Sequence, residues 1–290
     1  MSARSCAANL EVYRRPEVAA HYADLNYLSP CEVALFQKYL RPGVAVLDIG
    51  VGGGRTSEYL SSIASRYVGI DYSPSMIAEC RRRFPNLDFR QMDAANLSSF
   101  PDSSFGAVVI AFNGLDYLTE ESRKACLAHC ERVLARDGVL IFSSHNPRAV
   151  LVWPEWNRRR VREIAQRAPG AFFKMLTVTA LAAVAAVRGT VRAVWASSKQ
   201  IAQRAVRSAF WKGEGYILDS AHGGLVTHYA IPNIVVDELR SLGFDVRECA
   251  GDTAPRRSIW FTGWYYYACI KRISPQDIDA PTAPATEGLV

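Results

Sequence analysis

Cysteine is sparse in this chain of 290 residues, and its pattern excludes two common uses of the residue. The seven cysteines are odd in number and scattered, and no two have Cys-x-x-Cys spacing, so neither a disulfide framework nor a zinc site is predicted. Cys126 and Cys130 share a helix face at i,i+4 but lack a second pair of ligands, and we interpret them as structural. We expect no metal site, and the free thiols suit a reducing cytoplasm.

Long hydrophobic runs are also missing. The longest apolar run, residues 175–187, contains two Thr and is shorter than the roughly 20 residues that a membrane-spanning helix requires. Near the N-terminus, Arg14 and Arg15 are followed by Pro16 and Glu17 instead of an apolar stretch, so no signal peptide is predicted. These two absences predict a cytoplasmic protein.

Acidic residues are nearly absent from one stretch of the chain. Residues 148–212 hold 13 Lys and Arg against Glu155 and Glu163, a net charge of +11 in a chain whose formal charge is only +6. Such a block suits an anionic partner, but it is equally typical of a solvated helix face. A nucleic-acid partner is disfavoured, because the charges are interleaved with Ala and Val and few aromatic residues lie among them.

What the chain does contain predicts a folded α/β protein. Apolar residues make up 49% of it and aromatic residues 11%, far more than a disordered chain carries. From Gly43 onward, short β-branched runs alternate with longer amphipathic stretches, the pattern of a parallel sheet with crossover helices. Strands are predicted at 44–49, 67–70, 87–91, 107–111, 139–143, 244–249 and 263–271, with helices that begin near Thr56, Pro74 and Glu120 and another at 231–242.

The alternation is interrupted once, which divides the chain into parts. We predict an N-terminal helical cap (1–42), a cofactor-binding α/β core (43–147), a basic helical insertion or lid (148–225), the C-terminal part of the core (226–273) and a mobile tail (274–290). In the insertion, Arg and Lys flank an apolar stretch and Trp residues stand at its margins, as in helices that lie in a membrane interface. We therefore expect either peripheral membrane contact through 158–212 or a plain helical lid.

The most informative segment is a glycine-rich turn. Residues 46–56, Val-Leu-Asp-Ile-Gly-Val-Gly-Gly-Gly-Arg-Thr, take a buried strand into a run of glycines before a helix. Glycines permit positive φ and let a ligand approach the backbone. Arg55 stands where the third glycine of the dinucleotide fingerprint G-x-G-x-x-G would be. Asp71 ends the second strand, 23 residues after Asp48, where ribose hydroxyls are expected in this architecture.

Four segments in register together resemble a class I S-adenosylmethionine-dependent methyltransferase. They are 46–56, Asp71 with 73–76, 91–93 and 105–117. The resemblance covers residues 40–147 clearly and the last strand pair loosely. It implies a doubly wound Rossmann-like sheet of seven strands, mostly parallel with an antiparallel last strand, and a helical insertion after the fifth strand. It also implies S-adenosylmethionine as cofactor.

The resemblance assigns roles to the first loop and the strand ends. In similar enzymes the backbone at Gly50 and Gly52 packs against the methionine part of the cofactor, and the carboxylate matching Asp48 orients its ammonium group. Asp71 would hydrogen-bond both ribose hydroxyls, and Asn113 would border the methyl group. A plainer interpretation stays open, in which Asp48 only caps a turn.

The adenine end of the cofactor is matched less specifically. Asp93 would accept a hydrogen bond from the adenine amino group, with Met76 or Met92 against the ring. Tyr13 and Tyr22 lie in an N-terminal stretch that folds over the cofactor in similar enzymes. Each of these residues is also compatible with a turn or with core packing.

Methyl transfer is an in-line displacement, so the enzyme supplies alignment, a dry site and sometimes a base. His145, just after the fifth strand, and His228, after the insertion, are the predicted bases. No Asn-Pro-Pro-Tyr motif follows the fourth strand, which argues against DNA-adenine and protein-glutamine acceptors. We expect a hydroxyl of a small-molecule, saccharide or lipid-linked acceptor. An NAD(P)-dependent oxidoreductase and a noncatalytic cofactor-binding protein are the alternatives.

Overall fold

The computed structural model describes residues 9, 11–147, 170, 212–219, 225–251 and 262–272, which we call the described residues. Apart from residues 170 and 212, the predicted basic stretch 148–212 lies outside them, as does the predicted tail 274–290. Within the described residues, no helix is both long enough and apolar enough to cross a bilayer.

Strands and helices alternate through the first half of the described chain. The strands are β1 (Val44–Ile49), β2 (Ala64–Asp71), β3 (Asp88–Gln91), β4 (Phe105–Ile110), β5 (Leu134–His145), β6 (Glu214–Asp219), β7 (Leu225–Ala230), β8 (Phe244–Gly251) and β9 (Trp264–Lys271). The helices are α1 (Pro16–Ala23), α2 (Pro30–Tyr39), α3 (Ser57–Ile63), α4 (Pro74–Arg83), α5 (Glu120–Val133) and α6 (Pro232–Ser241), with a 3-10 turn at Gly114–Tyr117.

Local sequence signals set the starts of three helices. Ser29, Ser73 and Thr119 are N-caps whose side chains accept backbone N–H groups of the first turn, and Ser29 forms a reciprocal capping box with Glu32. Proline occupies the first helical position of α2 and α4, where its missing N–H costs nothing. The cap at Ser73 therefore starts α4 directly after Asp71, at the end of β2.

The sheet is mixed, and its first five strands are parallel. They lie in the order β3-β2-β1-β4-β5, and β9 then pairs antiparallel with β5 along residues 139–145. β8 pairs antiparallel with β9, and β6 with β7. The hairpin β6–β7 joins β5 through a single register pair, His145 with Tyr229. The predicted doubly wound, mostly parallel sheet with an antiparallel last strand is confirmed.

Two strands of the sheet were not predicted. Seven strands were expected, and the described residues form nine, because β6 lies inside the stretch assigned to a helical insertion (148–225) and β7 follows it. The β-branched and aromatic residues in Glu-Gly-Tyr-Ile-Leu-Asp and Leu-Val-Thr-His-Tyr-Ala are the signal that marks both. The helical assignment for 214–219 is therefore wrong.

Helices cover both faces of the sheet and enclose two apolar layers. One layer packs α5 and α6 against side chains such as Leu47 and Ile49, and the other packs α2, α3 and α4 against Val46. Successive residues of a strand point to opposite faces, which is why β1 contributes to both layers. With both faces covered, the carboxyl ends of the parallel strands are left as the place where a ligand can enter.

Candidate active site

A cavity of about 450 Å³ opens at the carboxyl ends of β1, β2, β3 and β4. The glycine turn after β1 forms one wall, and the segment after β4 forms another. Other residues in its lining come from three further parts of the chain, and these include Asn9, Tyr13, Tyr22, Asp71, Tyr72, Met76, Gln91, Met92 and Asp93. The predicted site segments therefore meet around one space.

The glycine turn adopts the backbone that its sequence predicts. Gly50, Gly52 and Gly54 have φ values of 69°, 54° and 83°, in the left-handed region where side chains are disfavoured. Gly53 is required for space, because a Cβ there would lie 2.4 Å from the backbone nitrogen of Ala23 in α1. The turn is thus pressed between the strand ends and the N-terminal helix, and Gly50 and Gly52 lie on the cavity wall as predicted.

Asp71 fastens the turn to the end of β2. Its Oδ2 accepts from the Gly52 N–H at 3.0 Å and its Oδ1 accepts from the Ser73 N–H at 2.9 Å. The Tyr72 backbone also hydrogen-bonds to this carboxylate, which has about four acceptor sites in all, so only part of its capacity is left for a ligand in the cavity. Burial raises the pKa of Asp71 to about 6, although its backbone hydrogen bonds lower it.

The raised pKa of Asp71 predicts pH-dependent ligand binding. A ligand that donates hydrogen bonds to this carboxylate binds its ionised form, so affinity should weaken as pH falls through about 6, by up to about tenfold per pH unit. Calorimetric titration with S-adenosylmethionine between about pH 5 and 8 measures this slope. The part of the slope that is lost in Asp71→Asn belongs to Asp71, because Asp48 and the amino group of the ligand are present in both titrations. A wild-type affinity independent of pH would contradict the assignment.

Asp48 lies beneath the glycine turn and does not line the cavity. Its Oδ2 accepts hydrogen bonds from the Thr56 hydroxyl at 2.7 Å and the Tyr67 hydroxyl at 2.9 Å, while its buried Oδ1 has no partner among the described residues. Burial raises the pKa of this carboxyl to about 6 as well. In this structure Asp48 ties β1, β2 and the turn together, and its predicted contact with an ammonium group stays a prediction.

The predicted adenine end is assembled from β3 and α4. Asp93 lines the cavity beside Met92 and Gln91, and its Oδ1 accepts from the Ala95 N–H at 2.9 Å, which holds the carboxylate in a turn. Met76 and Met92 both reach the cavity wall, and Met76 is also fully buried in the core. The structure therefore brings together the apolar and acidic groups named from the sequence.

The segment after β4 is strained at two adjacent residues. Phe112 and Asn113 have φ values of 55° and 60°, a conformation that is costly for any residue except glycine and less so for Asn. Phe112 lines the cavity, whereas Asn113 turns behind the wall and is buried. The Asn113 N–H donates to the Ser143 hydroxyl at 2.8 Å. Strain of this kind persists only where surrounding contacts over-determine it.

The two predicted bases meet at a carboxylate that the sequence did not single out. The Nδ1 of His145 lies 2.8 Å from Oδ2 of Asp116, and the Nδ1 of His228 lies 3.6 Å from its Oδ1. The Nε2 of His145 lies 3.1 Å from the Nδ2 of Asn113. Among the described residues that line the cavity, neither histidine is present. Their role as bases stays a prediction.

Other residues of the site carry weaker signals in the sequence. Arg55 lines the cavity, stacks 4.8 Å from the ring centre of Phe112 and forms two hydrogen bonds to the buried Glu32. Asn9 donates to the carbonyl groups of Tyr117 and Val226, both at 3.0 Å. Arg55 could have been suspected from its place in the glycine turn, but no local pattern marks its partner or Asn9.

Fold and site together define an α/β domain that holds a ligand between a glycine turn and an acidic strand end. Residues 46–138 match the family described as a methyltransferase domain. This match supports the predicted class I S-adenosylmethionine-dependent methyltransferase superfamily, and with it S-adenosylmethionine as the cofactor of the domain. The predicted superfamily is confirmed.

The relatives resemble this chain over its core. A Mycolicibacterium smegmatis protein named "probable S-adenosylmethionine-dependent methyltransferase" is 33% identical over 126 residues, 43% of this chain and 48% of that protein. The demethylmenaquinone methyltransferase of Renibacterium salmoninarum is 35% identical over 130 residues, 43% and 53% of the two chains. The chain thus spans about half the length of these curated relatives.

A solved structure extends the similarity to most of the fold. An S-adenosylmethionine-dependent methyltransferase from Methanosarcina mazei aligns with a TM-score of 0.54 at 16% identity, over 85% of this chain and 99% of that one. At this identity the likeness concerns the fold.

Proposed function

We propose that this protein transfers a methyl group from S-adenosylmethionine to a hydroxyl of a small-molecule, saccharide or lipid-linked acceptor. The observation that carries the proposal is the convergence of the glycine turn, Asp71 and Asp93 on one cavity inside a methyltransferase domain. These groups differ in chemistry as the parts of the cofactor do, since the turn offers backbone, Asp71 offers paired acceptors and Met92 offers an apolar surface.

The described residues fit the cofactor. Asp71 would accept from the ribose hydroxyls through the acceptor capacity that its backbone hydrogen bonds leave available. Asp93 and Met92 would hold the adenine, and the turn at Gly50 and Gly52 would hold the methionine part. When bound, the cofactor supplies an electrophilic methyl group on a sulfonium.

Around the methyl group of the bound cofactor, the residues of this chain would align the reactants and exclude water. Tyr13, Tyr22, Phe112 and Tyr117 bring four aromatic rings to the cavity wall, and the rings of Tyr13 and Tyr22 are 5.9 Å apart. Aromatic faces attract cations and exclude water, and both effects suit a displacement at a sulfonium.

The class of acceptor is supported by fewer observations than the cofactor is. The eEF1A lysine and N-terminal methyltransferase of Mus musculus, 34% identical over 118 residues, covers 39% of this chain and 16% of that protein, and its name indicates a protein acceptor. The name of the Renibacterium relative indicates a demethylmenaquinone acceptor instead. We favour a small or lipid-linked acceptor, in keeping with the apolar cavity wall and the predicted membrane contact through 158–212.

Peripheral membrane contact is testable without knowing the acceptor. Reversing the charge of Arg158, Arg159 and Arg160 is expected to release the protein from anionic liposomes, because each basic residue near such a surface contributes about 1 kcal/mol. Co-sedimentation measures this, with neutral liposomes as control. If the wild-type protein stays in the supernatant with both kinds of vesicle, the segment is a plain lid.

The function itself is tested by calorimetric titration with S-adenosylmethionine, S-adenosylhomocysteine and NADH. We expect binding of the first two and none of NADH, because Arg55 replaces the third glycine of the dinucleotide fingerprint and its side chain is held by Glu32. Binding of NADH alone would favour the oxidoreductase. Conversion of S-adenosylmethionine to S-adenosylhomocysteine over a panel of hydroxylated acceptors then separates an enzyme from a noncatalytic binding protein.

A further inference from the structure

A network of buried charged side chains lies directly behind the cavity wall. Asp116 is at its centre and is fully buried in the 3-10 turn after β4. Its Oδ2 accepts from the backbone N–H of His145 at 2.7 Å and from the ring Nδ1 of the same residue at 2.8 Å. Its Oδ1 accepts from the Ser144 hydroxyl at 2.9 Å. A carboxylate with this many donors is ionised and held in one orientation.

The network reaches the strained turn through His145. Because Asp116 accepts from Nδ1, that nitrogen carries the proton, and Nε2 presents a lone pair to the Nδ2 of Asn113 at 3.1 Å. Asn113 stands between Phe112 and Gly114, both of which line the cavity. The side chain of Asp116 is therefore two hydrogen bonds away from the residue whose backbone shapes the cavity wall.

The other end of the network carries the balancing positive charge. His228 is buried in β7, with Nδ1 3.6 Å from Asp116 and Nε2 3.1 Å from Oε1 of Glu214 in β6. The contact at 3.6 Å is too long for a hydrogen bond, and Nδ1 of His228 has no hydrogen-bond partner among the described residues, so the link to Asp116 is an ion pair that requires a protonated ring. Tyr216 of β6 faces the ring with centroids 5.1 Å apart, and Arg123 of α5 approaches Glu214 at 4.0 Å.

The ion pair of Asp116 and His228 strengthens the connection of the β6–β7 hairpin to the rest of the sheet, which few backbone hydrogen bonds support. The hairpin β6–β7 joins β5 through one register pair, which includes His145. The ion pair of Asp116 and His228 links the hairpin to the turn after β4 at the same place. Loss of the charge on His228 would leave Asp116 uncompensated in the interior, which is costly.

We propose that Asp116 is a positioning residue for the methyl-transfer site. Asp116 acts through His145 and Asn113 on the strained cavity wall. A protonated His228 keeps Asp116 in place and also fastens the β6–β7 hairpin. The proposal rests on the proposed function. Burial lowers the pKa of His228, but Asp116 and Glu214 raise it by more than burial lowers it, so the net shift is upward. For Asp116, burial raises the pKa, but the two histidines outweigh it and lower the pKa to about 2.

The experiment uses the full chain and a carboxylate outside the cavity, Glu214. Imidazole 15N resonances and the affinity for S-adenosylhomocysteine are followed from about pH 6 to about pH 9 in wild type and in Glu214→Gln. In wild type, His228 should carry protons on both nitrogens at neutral pH. As pH rises and His228 loses its proton, affinity should fall several-fold. In Glu214→Gln both transitions should move to lower pH together.

Two controls isolate the network. Glu248→Gln makes the same substitution in a carboxylate that pairs with Lys38 and Tyr39 instead, and it should leave both transitions unchanged. The amino group of the ligand titrates in the same way with every variant, so a difference between variants belongs to the protein.

Asp116→Asn provides a second measurement, with an expected loss of about tenfold in affinity for S-adenosylhomocysteine. Wild-type affinity in Asp116→Asn would overturn the proposal, as would a His228 transition that moves in Glu214→Gln without any change in ligand binding. If Asp116→Asn does not fold, the Glu214→Gln comparison decides alone. Absence of S-adenosylhomocysteine binding by wild type would instead overturn the proposed function, and the proposal with it, whatever the imidazole spectra show.

Discussion

Replacing Asp71 with alanine is expected to weaken binding of S-adenosylmethionine by roughly 100-fold or more. Under the proposed function the carboxylate accepts from the ribose hydroxyls, and it also holds the Gly52 and Ser73 N–H groups at 3.0 and 2.9 Å. Its loss therefore removes ligand hydrogen bonds and loosens the glycine turn at once. Calorimetric titration of the purified variant with S-adenosylmethionine and S-adenosylhomocysteine measures the effect.

Asp88→Ala is the matched control for that variant. Asp88 begins β3 and pairs with Arg90 on the surface, where its side chain is 43% exposed, so the same substitution there should leave affinity unchanged. Thermal unfolding of both variants shows whether the fold is retained. Affinity within threefold of wild type in a folded Asp71→Ala protein would refute the assignment of Asp71 to the ribose.

Replacing Arg55 with methionine is expected to lower the free energy of unfolding by about 3–5 kcal/mol, because it leaves the carboxylate of Glu32 buried without its charge partner. The two side chains are 6% and 3% exposed and are joined by two hydrogen bonds, one of them 2.8 Å long. Glu32 would retain only its hydrogen bond from the Ser29 N–H. Urea unfolding followed by circular dichroism measures the change.

A double-mutant cycle separates the pair from its surroundings. Glu32→Gln combined with Arg55→Met removes both charges and should be much more stable than Arg55→Met alone, with a coupling of about 2 kcal/mol or more. Arg82→Met, which breaks an exposed pair with Glu79 in α4, should cost less than about 1 kcal/mol. Additive effects in the cycle would contradict a stabilising role for the buried pair.

The buried pair also explains how the N-terminal helices are joined to the site. Glu32 belongs to α2 and Arg55 to the glycine turn, and the Arg55 guanidinium also donates to the carbonyl of Tyr27 at 2.8 Å. The same turn leaves no room for a Cβ at Gly53 because Ala23 of α1 packs on it. The contacts of α1 and α2 with the glycine turn therefore fix the position of both helices next to the cavity.

Local patterns in the sequence determined most of the described elements of this protein, all strands except β6 and β7, and the place of its site. β1 begins and ends at the predicted residues, α4 and α5 begin at Pro74 and Glu120 as expected, and the glycine turn has the predicted left-handed glycines. These features depend on neighbours in the chain, such as hydrophobic alternation, N-caps and glycine conformations. In a doubly wound sheet the strand ends meet at one edge, so Asp71 could be placed there from its position in the sequence, and the resemblance to methyltransferases added Asp93.

Tertiary structure alone decided which polar side chains face that cavity. Asp48, Asn113 and His145 stand at the predicted edge, but their side chains turn to Thr56, His145 and Asp116, respectively, rather than to the cavity. Position along a strand fixes the edge, whereas the direction of a side chain in a loop depends on partners distant in sequence. The links between Asp116 and His228 and between Glu32 and Arg55 are of this long-range kind, so no local pattern could reveal them.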